Sequence, residues 1–583
     1  MSYLRIVLPL LVFMQCDPAR SQPRFPTKFE RSGRTETVTY QEGITYYEEL
    51  ANAFPEINLS THGTTDSGKQ LHLVTLSIDQ DFDFPSLHRK NKLILLINNA
   101  IHPGEPDGVD ASMMLLRDLM LKRDEYETHL KNVVIAIIPF YNIGGALNRN
   151  STTRANQNGP TEYGFRGNAR NFDLNRDFIK SDTQNARTFA RLFHRVDPDI
   201  FVDNHVSNGA DYQYVMTIDI TQKDKLGGPL ADYLENRMMP FMFEYMKSGG
   251  SEMIPYVNVF NEAPDKGYSQ FFDSPRYSSG YAALFHTIGF MTEPHMLKPY
   301  GERVQATYNY MDGILKVMSR DEELIKRLRD QTKESVKTQQ QFDIAWKLDR
   351  SRHTELLFKG YESRWIDSSV TGQKRLFYDR NKPYKKRIPY YNHYRTAATI
   401  NKPEYYVVPQ AWRQVLDLLK LNQVHLEPIQ EDTTIEAEIY HIEDYKTVES
   451  PYEGHYLHYD VKVRMEKETV TFSKGDIMVP VNQWVNRYIV ETLEPESVDS
   501  FFAWNFFDSI LQRKEGFSSY VFEDEAKQIL DANPNLQSQL KQKRATEPEF
   551  AKSSQAQLNF IYKNSRHYEK AHLRYPIYRV PKR

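Results

Sequence analysis

Two histidines and two glutamates stand in short polar segments that directly follow apolar runs of the sequence. His102 and Glu105 share the segment Asn-Ala-Ile-His-Pro-Gly-Glu, and His205 ends an Asp-Asn-His segment after a second apolar run. Glu293 lies at the end of a third run. Open α/β folds bind ligands in the crevice outside the carboxyl ends of their strands. These four side chains are therefore predicted to lie together at one edge of a sheet.

The residue types in these segments predict a catalytic zinc site. Imidazole and carboxylate are zinc ligands, and two histidines with one glutamate leave a fourth tetrahedral position for water. We expect His102, Glu105 and His205 to bind one Zn²⁺ and Glu293 to take the proton from the metal-bound water. The only cysteine, Cys16, lies near the N-terminus, which excludes cysteine-ligated zinc and thiolate catalysis.

An arginine-rich stretch between residues 148 and 177 supplies candidate anion-binding groups. It contains no lysine, and its arginines alternate with asparagine and glycine: Arg149, Arg154, Arg166, Arg170 and Arg176. The planar guanidinium binds a carboxylate through two hydrogen bonds and can also stabilise an oxyanion. A solvated basic loop is the alternative interpretation of the same stretch.

The elements that must position these residues follow from the spacing of apolar positions. Continuous apolar runs predict strands at 93–98, 133–138, 200–202 and 289–293, and helical spacing predicts helices at 110–121, 183–195, 229–247 and 301–329. Strands that alternate with helices indicate an α/β fold, with a mostly parallel or mixed central sheet flanked by helices on both faces.

The pattern changes after about residue 335. Strands are predicted at 339–357, 433–444, 455–465 and 470–481, and helices at 410–421 and near the C-terminus. At 583 residues the chain exceeds what one hydrophobic core usually organises. The sequence thus predicts a catalytic domain over 22–335 and a β-rich α+β accessory domain over 336–583.

Composition narrows the class of protein. Hydrophobic residues make up 40% and charged residues 26% of the chain, which is typical of a soluble globular protein. The net charge of −3 comes without a basic stripe, so a nucleic-acid partner is not expected.

The N-terminus predicts a secretory leader over residues 1–21. Arg5 precedes the apolar run 6–14, and Ala19-Arg-Ser21 offers the small residues that signal peptidases require. Since the run is too short to span a bilayer core of about 30 Å, no transmembrane segment is expected in the mature chain. Lipidation at Cys16 and a buried N-terminal strand are the alternatives.

Taken in order, the motifs resemble those of the carboxypeptidase A-like zinc metallopeptidases, the funnelins, over about residues 40–325. The matching segments read His102-Pro-Gly-Glu105, Arg166-Gly-Asn168, Asp173-Leu-Asn175-Arg176, Asn204-His205 and Thr292-Glu293. The resemblance implies a mixed eight-stranded sheet flanked by helices, here followed by a longer C-terminal region than the family's regulatory members carry.

The resemblance also implies roles for residues outside the metal site. Arg166, or alternatively Arg154, would stabilise the oxyanion, and Asn175 with Arg176 would bind the C-terminal carboxylate of the substrate. Tyr277 and Tyr281 both precede Glu293 and are the candidates for a tyrosine that caps the substrate. Asn171 stands where bacterial members usually have glycine, which leaves the path of this loop open.

These observations predict an exported zinc metallocarboxypeptidase that acts on peptides or proteins with a free C-terminal carboxylate. Glu293 would serve as general base and then as general acid. Two other functions remain open at this point. One is an amidase or endopeptidase of the same fold that cleaves cell-wall peptides, and the other is a non-catalytic peptide-binding protein.

Overall fold

The apolar runs of the first half of the chain form a central sheet in the computed structural model, which describes residues 24–582. The predicted leader and Cys16 lie outside the described residues. The strands of this half are β1 Ile57–Thr64, β2 Gln70–Leu76, β3 Leu93–Asn98, β4 Val133–Ile138, β5 Ile200–Asn204, β6 Met216–Ile220, β7 Met253–Pro255, β8 Tyr268–Ser269 and β9 Ile288–Pro294.

All of these strands except β8 belong to one eight-stranded sheet, in the order β1-β2-β4-β3-β5-β9-β6-β7. The central strands β4, β3, β5 and β9 run parallel to one another. Antiparallel pairs join β1 to β2, β2 to β4, and β6 to β9. The mixed eight-stranded sheet implied by the resemblance is therefore confirmed.

Helices cover both faces of this sheet. They are α1 Lys28–Arg31, α2 Tyr40–Ala53, α3 Phe84–Arg89, α4 Asp107–Leu121, α5 Arg123–Leu130, α6 Ile143–Leu147, α7 Gln184–Val196, α8 Lys223–Leu226, α9 Gly228–Tyr233, α10 Met239–Ser248, α11 Ser278–Leu284, α12 Tyr300–Arg320 and α13 Glu322–Thr338. The helix predicted at 229–247 consists of α9 and α10 with a π-helical turn between them, and the one predicted at 301–329 is divided into α12 and α13 at Asp321.

Side chains that alternate along β3 enter two different cores. Leu95 and Ile97 pack with α2, α4 and α12, whereas Ile94 and Leu96 pack with α7 and α11. This follows from the two-residue period of a strand, which sends successive side chains to opposite faces. A strand buried on both faces must be apolar at every position, which explains the uninterrupted run in the sequence.

The second half of the chain is richer in strands. Its strands are β10 Gln341–Leu348, β11 Thr354–Asp367, β12 Lys374–Tyr391, β13 Tyr394–Asn401, β14 Tyr405–Val408, β15 Glu427–Pro428, β16 Thr433–Thr447, β17 His458–Phe472, β18 Ile477–Pro480 and β19 Tyr578–Val580. Its helices are α14 Arg413–Leu421, α15 Asn486–Leu493, α16 Ser519–Ala532, α17 Pro534–Thr546, α18 Pro548–Lys552 and α19 Ser554–Lys563. The predicted β-rich α+β character is confirmed.

These strands form three further sheets, and one of them takes in a strand of the first half. β12 pairs in parallel with β8, so the β11–β12 hairpin is joined to a strand of the first half. β10 pairs with β13, and six strands form the sheet β15-β18-β14-β19-β16-β17. The strand predicted at 339–357 is in fact two strands, β10 and the start of β11, because a turn interrupts it.

The two halves of the chain share a hydrophobic core. Val408, Tyr488 and Trp504 from the second half belong to the same buried cluster as Phe189 of α7 and Tyr281 of α11. The predicted division at residues 335/336 falls in the last turn of α13. Among residues 24–582 no helix is long and apolar enough to cross a membrane.

Candidate active site

The neighbouring strands β3, β5 and β9 bring the predicted functional residues to one edge of the sheet. Asn98 at the end of β3 pairs with Asp203, and Asn204 at the end of β5 pairs with Thr292. The chain then continues into His102, His205 and Glu293. Helix α4 approaches this edge so closely that a β-carbon on Gly108 would lie 2.3 Å from Cβ of Asn204, which requires glycine at that position.

The three predicted metal ligands converge. Nδ1 of His102 lies 3.2 Å from Nδ1 of His205 and 3.2 Å from Oε2 of Glu105, and all three residues are buried. Nδ1 of His205 is 3.4 Å from the same Glu105 oxygen. Two nitrogens bound to one tetrahedral zinc ion at about 2.0–2.1 Å are separated by about 3.3–3.4 Å. The nitrogen and oxygen donors and their spacing therefore fit a single zinc ion.

Each histidine presents its other ring nitrogen to a carboxylate. Nε2 of His102 donates to Oδ1 of Asp173 at 2.9 Å, and Nε2 of His205 donates to Oδ2 of Asp203 at 2.9 Å. A carboxylate accepts and cannot donate, so it fixes the tautomer whose Nδ1 lone pair is free for a metal. Burial acts to raise the pKa of Asp173, but the charges of His102 and Arg166 hold it well below its usual range.

Glu293 lines the same cavity as the three ligands. Burial raises the pKa of its carboxyl to about 8, against the lowering effect of His205, and the carboxylate of Glu105 adds to the rise. A bound divalent cation would lower this value. A carboxyl group with a pKa near neutrality can both accept a proton and return it, which is the requirement for a general base that later acts as an acid.

The two candidate oxyanion arginines both reach Glu105, but they differ in their other contacts. Arg154 Nη1 donates to Glu105 Oε1 at 2.8 Å. Arg166 Nη1 lies 3.4 Å from the same oxygen, while its Nε and Nη2 donate to Oδ2 of Asp173 at 3.0 and 2.8 Å. The Arg166 side chain is 42% exposed and that of Arg154 18%, so Arg166 is the more solvent-accessible of the two, and both line the cavity.

The predicted carboxylate-binding residues line the same cavity as the candidate metal ligands. The guanidinium of Arg176 stacks over the ring of Tyr277 with 4.6 Å between Cζ and the ring centroid. Asn175 Oδ1 accepts a hydrogen bond from the backbone N–H of Ser278 at 3.3 Å. The other candidate tyrosine, Tyr281, is buried in the second core, where its hydroxyl donates to Asn422. Of the two tyrosines, only Tyr277 borders the cavity.

The cavity, of about 310 Å³, has further walls that the sequence did not suggest. Asp219 on β6 lies opposite Met291 on β9, two residues before Glu293, and Tyr256 follows β7. Asp219 is 3% exposed, and its Oδ2 has no hydrogen-bond partner among the described residues. Burial raises its pKa well above the usual range, with the charges of Asp273 and Glu293 adding to the effect.

One of these residues left a signal in the sequence. The strand that carries Asp219 reads Met-Thr-Ile-Asp-Ile, so a charged residue interrupts an otherwise buried strand. Tyr256 carries no such signal, because it is one of 37 tyrosines in the chain.

The central sheet, the histidine–glutamate cluster and the glutamate beside it define an α/β protein with a candidate metal site at the edge of its sheet. Residues 44–222 match the family model Peptidase_M14, described as zinc carboxypeptidase. Residues 44–222 are therefore similar in sequence to the zinc carboxypeptidase family. The matched segment includes the three metal-ligand candidates and the arginine-rich stretch, and it ends before Glu293.

Two fungal proteins are among the similar sequences. Carboxypeptidase 2 of Trichophyton tonsurans is 30% identical over 142 residues, which is 24% of this chain and 23% of that protein. Carboxypeptidase 2 of Trichophyton rubrum is 30% identical over 114 residues, or 20% and 18% of the two chains. The similarity thus spans less than a quarter of the length of these relatives.

Solved structures with a similar arrangement include a metallo-carboxypeptidase from Burkholderia cenocepacia, at 16% identity and a TM-score of 0.37, covering 49% of this chain and 70% of that chain. Carboxypeptidase A from Helicoverpa armigera has 16% identity and a TM-score of 0.37, covering 49% and 74% of the two chains.

Proposed function

We propose that this protein is a zinc metallocarboxypeptidase that removes single residues from the C-terminus of peptides. The observation that carries the proposal is the convergence of His102 Nδ1, His205 Nδ1 and Glu105 Oε2 beside a cavity that also contains Glu293 and Arg176. Metal ligands, a base and a carboxylate-binding group are the components that such a reaction needs within one cavity.

In this proposal His102, Glu105 and His205 hold one Zn²⁺, which when bound makes a water molecule acidic enough to become a nucleophile near neutral pH. Glu293 accepts the proton of the attacking water and returns it to the nitrogen of the departing residue. Arg166 stabilises the negative charge that develops on the carbonyl oxygen of the scissile bond. Arg154 instead neutralises Glu105 through Oε1, whereas His102 contacts Oε2.

Arg176 is the proposed partner of the substrate's C-terminal carboxylate. Its guanidinium is 4.0 Å from the nearest Asp173 oxygen, whereas Arg166 donates to that carboxylate from two nitrogens. Arg176 therefore retains more capacity to pair with a substrate, and Asn175 and Tyr277 stand beside it. A site that requires a free carboxylate limits the enzyme to the end of a chain.

Asp219 supports a preference for a basic C-terminal residue. A buried carboxylate without a full set of hydrogen bonds is costly unless a ligand completes it. A lysine or arginine side chain in the cavity would supply both the charge and the donors. The amino group of a diamino acid in a cell-wall peptide has the same chemistry, so an amidase of the same fold is the second candidate function.

A mass-spectrometric digest of a mixed peptide pool tests the proposal. The pool contains peptides that end in lysine, arginine, leucine or phenylalanine, each as free acid and as amide, together with D-amino-acid-terminated members. We expect zinc-loaded protein to release single residues from the free acids, with lysine and arginine fastest. The matched control is Glu293→Gln, and a zinc chelator should stop the wild-type reaction.

Other outcomes distinguish the alternatives. Cleavage restricted to D-amino-acid members would favour the cell-wall amidase. Equal release of leucine and lysine would contradict the proposed role of Asp219 in selectivity but not the carboxypeptidase activity. The absence of any cleavage by zinc-loaded protein would contradict the proposed activity. Export by the leader 1–21 is part of the proposal, and N-terminal sequencing of protein recovered outside the cell, with Gln22 as the expected first residue, tests it.

A further inference from the structure

The two loops that carry the carboxylate-binding residues are covered by residues from the second half of the chain. One loop runs from Phe172 to Asp182 and carries Asn175 and Arg176, and the other precedes α11 and carries Tyr277. The covering residues come from the turn 452–455 and from the segment 499–504, which are far away in the sequence. Neither covering segment lines the cavity.

The turn 452–455 holds the first loop through its backbone. A carboxylate oxygen of Glu453 accepts a hydrogen bond from the backbone N–H of Asp173 at 2.8 Å. The next residue, Gly454, has a positive φ of 82°, and a β-carbon there would lie 3.0 Å from the ring of Phe172. The ring nitrogen Nε2 of His455 is 2.7 Å from a carboxylate oxygen of Asp182 at the other end of the loop.

The contact at Asp173 matters because this residue connects the carboxylate-binding loop to the metal site. Its own carboxylate accepts from Nε2 of His102 and pairs with Arg166. Asn175 and Arg176 follow within three residues, so the position of the Asp173 backbone sets the position of both. Glu453 thus acts on the site through Asp173, without contact with a substrate.

The segment 499–504 holds the second loop through a buried ion pair. Asp499 accepts from Nε and Nη2 of Arg276 at 2.9 and 2.7 Å and from the backbone N–H of the same residue at 3.0 Å. The indole N–H of Trp504 also donates to Asp499, and its ring stacks under the Arg276 guanidinium at 4.9 Å. Tyr277 is the next residue and carries the ring over which Arg176 stacks.

We propose that Glu453 and Asp499 are positioning residues that fix the two carboxylate-binding loops against each other, so that the C-terminal region completes the substrate site. The proposal rests on the proposed function, since it concerns the recognition of a free C-terminal carboxylate. Without these contacts Arg176 and Tyr277 are still present, but their positions relative to each other are no longer fixed. Carboxylate binding depends on that relative position.

The test measures binding separately from catalysis. All variants are made in full-length, zinc-loaded Glu293→Gln protein, and calorimetry compares a tripeptide acid with the C-terminal amide of the same tripeptide. The tripeptide ends in the residue that wild-type protein releases fastest. We expect the background protein to bind the acid at least tenfold more tightly than the amide.

Glu453→Ala and Asp499→Asn should each weaken binding of the acid by about tenfold and leave binding of the amide within a factor of two. Glu453→Gln keeps an acceptor oxygen for the Asp173 N–H and should retain most of the affinity. Glu449→Ala, on an exposed glutamate near the same turn, is the matched control and should change neither affinity. A merely structural role would lower thermal stability without changing the ratio of acid to amide.

Two results would overturn the proposal in different ways. If the background protein prefers the acid and both Glu453→Ala and Asp499→Asn keep that preference, the positioning role is wrong while the proposed function stands. If the background protein binds acid and amide equally, the carboxylate site and the positioning role both fail. If Glu453→Ala does not fold, the isosteric variant Asp499→Asn provides the same comparison of acid and amide affinity for the other loop.

Discussion

Nδ1 of His102 and Nδ1 of His205 lie 3.2 Å apart, and the Nε2 of each ring donates to a different aspartate. In the tautomer that these aspartates favour, both rings direct Nδ1 toward one point, where a bound cation would satisfy them together with Glu105. The arrangement therefore couples metal binding to the stability of the edge formed by β3 and β5, because a ligand that binds only the folded state stabilises it.

Removal of the metal should lower the thermal stability of the protein. At a zinc concentration about one hundred times the dissociation constant, binding adds about 2.7 kcal/mol to the free energy of unfolding. Calorimetric unfolding with and without a chelator measures the difference. His205→Ala should abolish both the bound zinc and the chelator effect, while His353→Ala, on an exposed histidine, should keep both. One zinc per chain in His205→Ala protein would contradict its role as a ligand.

Replacing Glu293 by Gln should separate metal binding from catalysis. General acid–base catalysis contributes about 10²–10⁴-fold to a rate, so we expect a loss of that size in kcat at unchanged zinc content. Because the base must be ionised, kcat/KM of the wild type should rise with pH through the pKa of Glu293. That pKa is about 8 without metal, and bound zinc should bring the rise below pH 8. A flat profile on the acid side would contradict the assignment.

Arg166 and Arg154 should fail in different ways when replaced by Ala. Loss of an oxyanion donor costs about 10²–10³-fold in kcat, which we expect for Arg166→Ala at unchanged zinc stoichiometry. Arg154 donates to buried Glu105 at 2.8 Å, so Arg154→Ala should weaken zinc binding, because it leaves a buried ligand carboxylate with less compensation. Zinc titration and steady-state kinetics on both variants test these two roles. Weaker zinc binding in Arg166→Ala and a lower kcat in Arg154→Ala would show that the roles are exchanged.

Replacing Arg176 by Ala should affect substrates according to their C-terminus. Hydrogen bonds to charged groups contribute about 1.5–3 kcal/mol, so kcat/KM for free-acid peptides should fall about 10- to 100-fold. In the Glu293→Gln background the same change should leave binding of peptide amides unaltered. Equal losses for acids and amides would show that Arg176 supports the loop and does not bind the substrate carboxylate.

The candidate metal site is predictable from the sequence because its proposed ligands follow strands that are buried on both faces. Uninterrupted apolar runs at β3, β5 and β9 indicate neighbouring parallel strands, and such strands present their carboxyl ends at one edge. The spacing of Tyr277 and Tyr281, in contrast, gave no decision. They are four residues apart, and only the start of α11 at Ser278 leaves the first at the cavity while the second turns into the core.

Contacts between distant parts of the chain were beyond the reach of the sequence. Glu453 bonds to a backbone N–H 280 residues earlier, and nothing in the local pattern of either segment indicates the other. The helices at 519–563 show the same limit for a different reason. They are largely exposed and bury few residues, so only one helix was predicted near the C-terminus where α16 to α19 are present.

Replacing Asp219 by Asn should stabilise the protein, and the gain should grow with pH. The pKa of Asp219 is raised well above its usual range by burial, so the folded state binds more protons than the unfolded state once the pH exceeds the unfolded pKa of about 3.9. The free energy of unfolding of the wild type therefore falls as pH rises from that value to the folded pKa. Each unit of elevation costs about 1.4 kcal/mol, and Asn avoids this cost because it does not titrate.

Urea unfolding of metal-free Asp219→Asn and wild-type protein at several values between pH 4 and pH 8 measures this difference. The exposed residue Asp232 provides the control Asp232→Asn, which should follow the wild type at every pH. The same Asp219 variant should release lysine and arginine more slowly relative to leucine, because the carboxylate that is costly in the free protein is the group proposed to pair with a basic side chain. A variant with unchanged pH dependence of stability and unchanged selectivity would contradict both the unpaired state of Asp219 and its part in substrate choice.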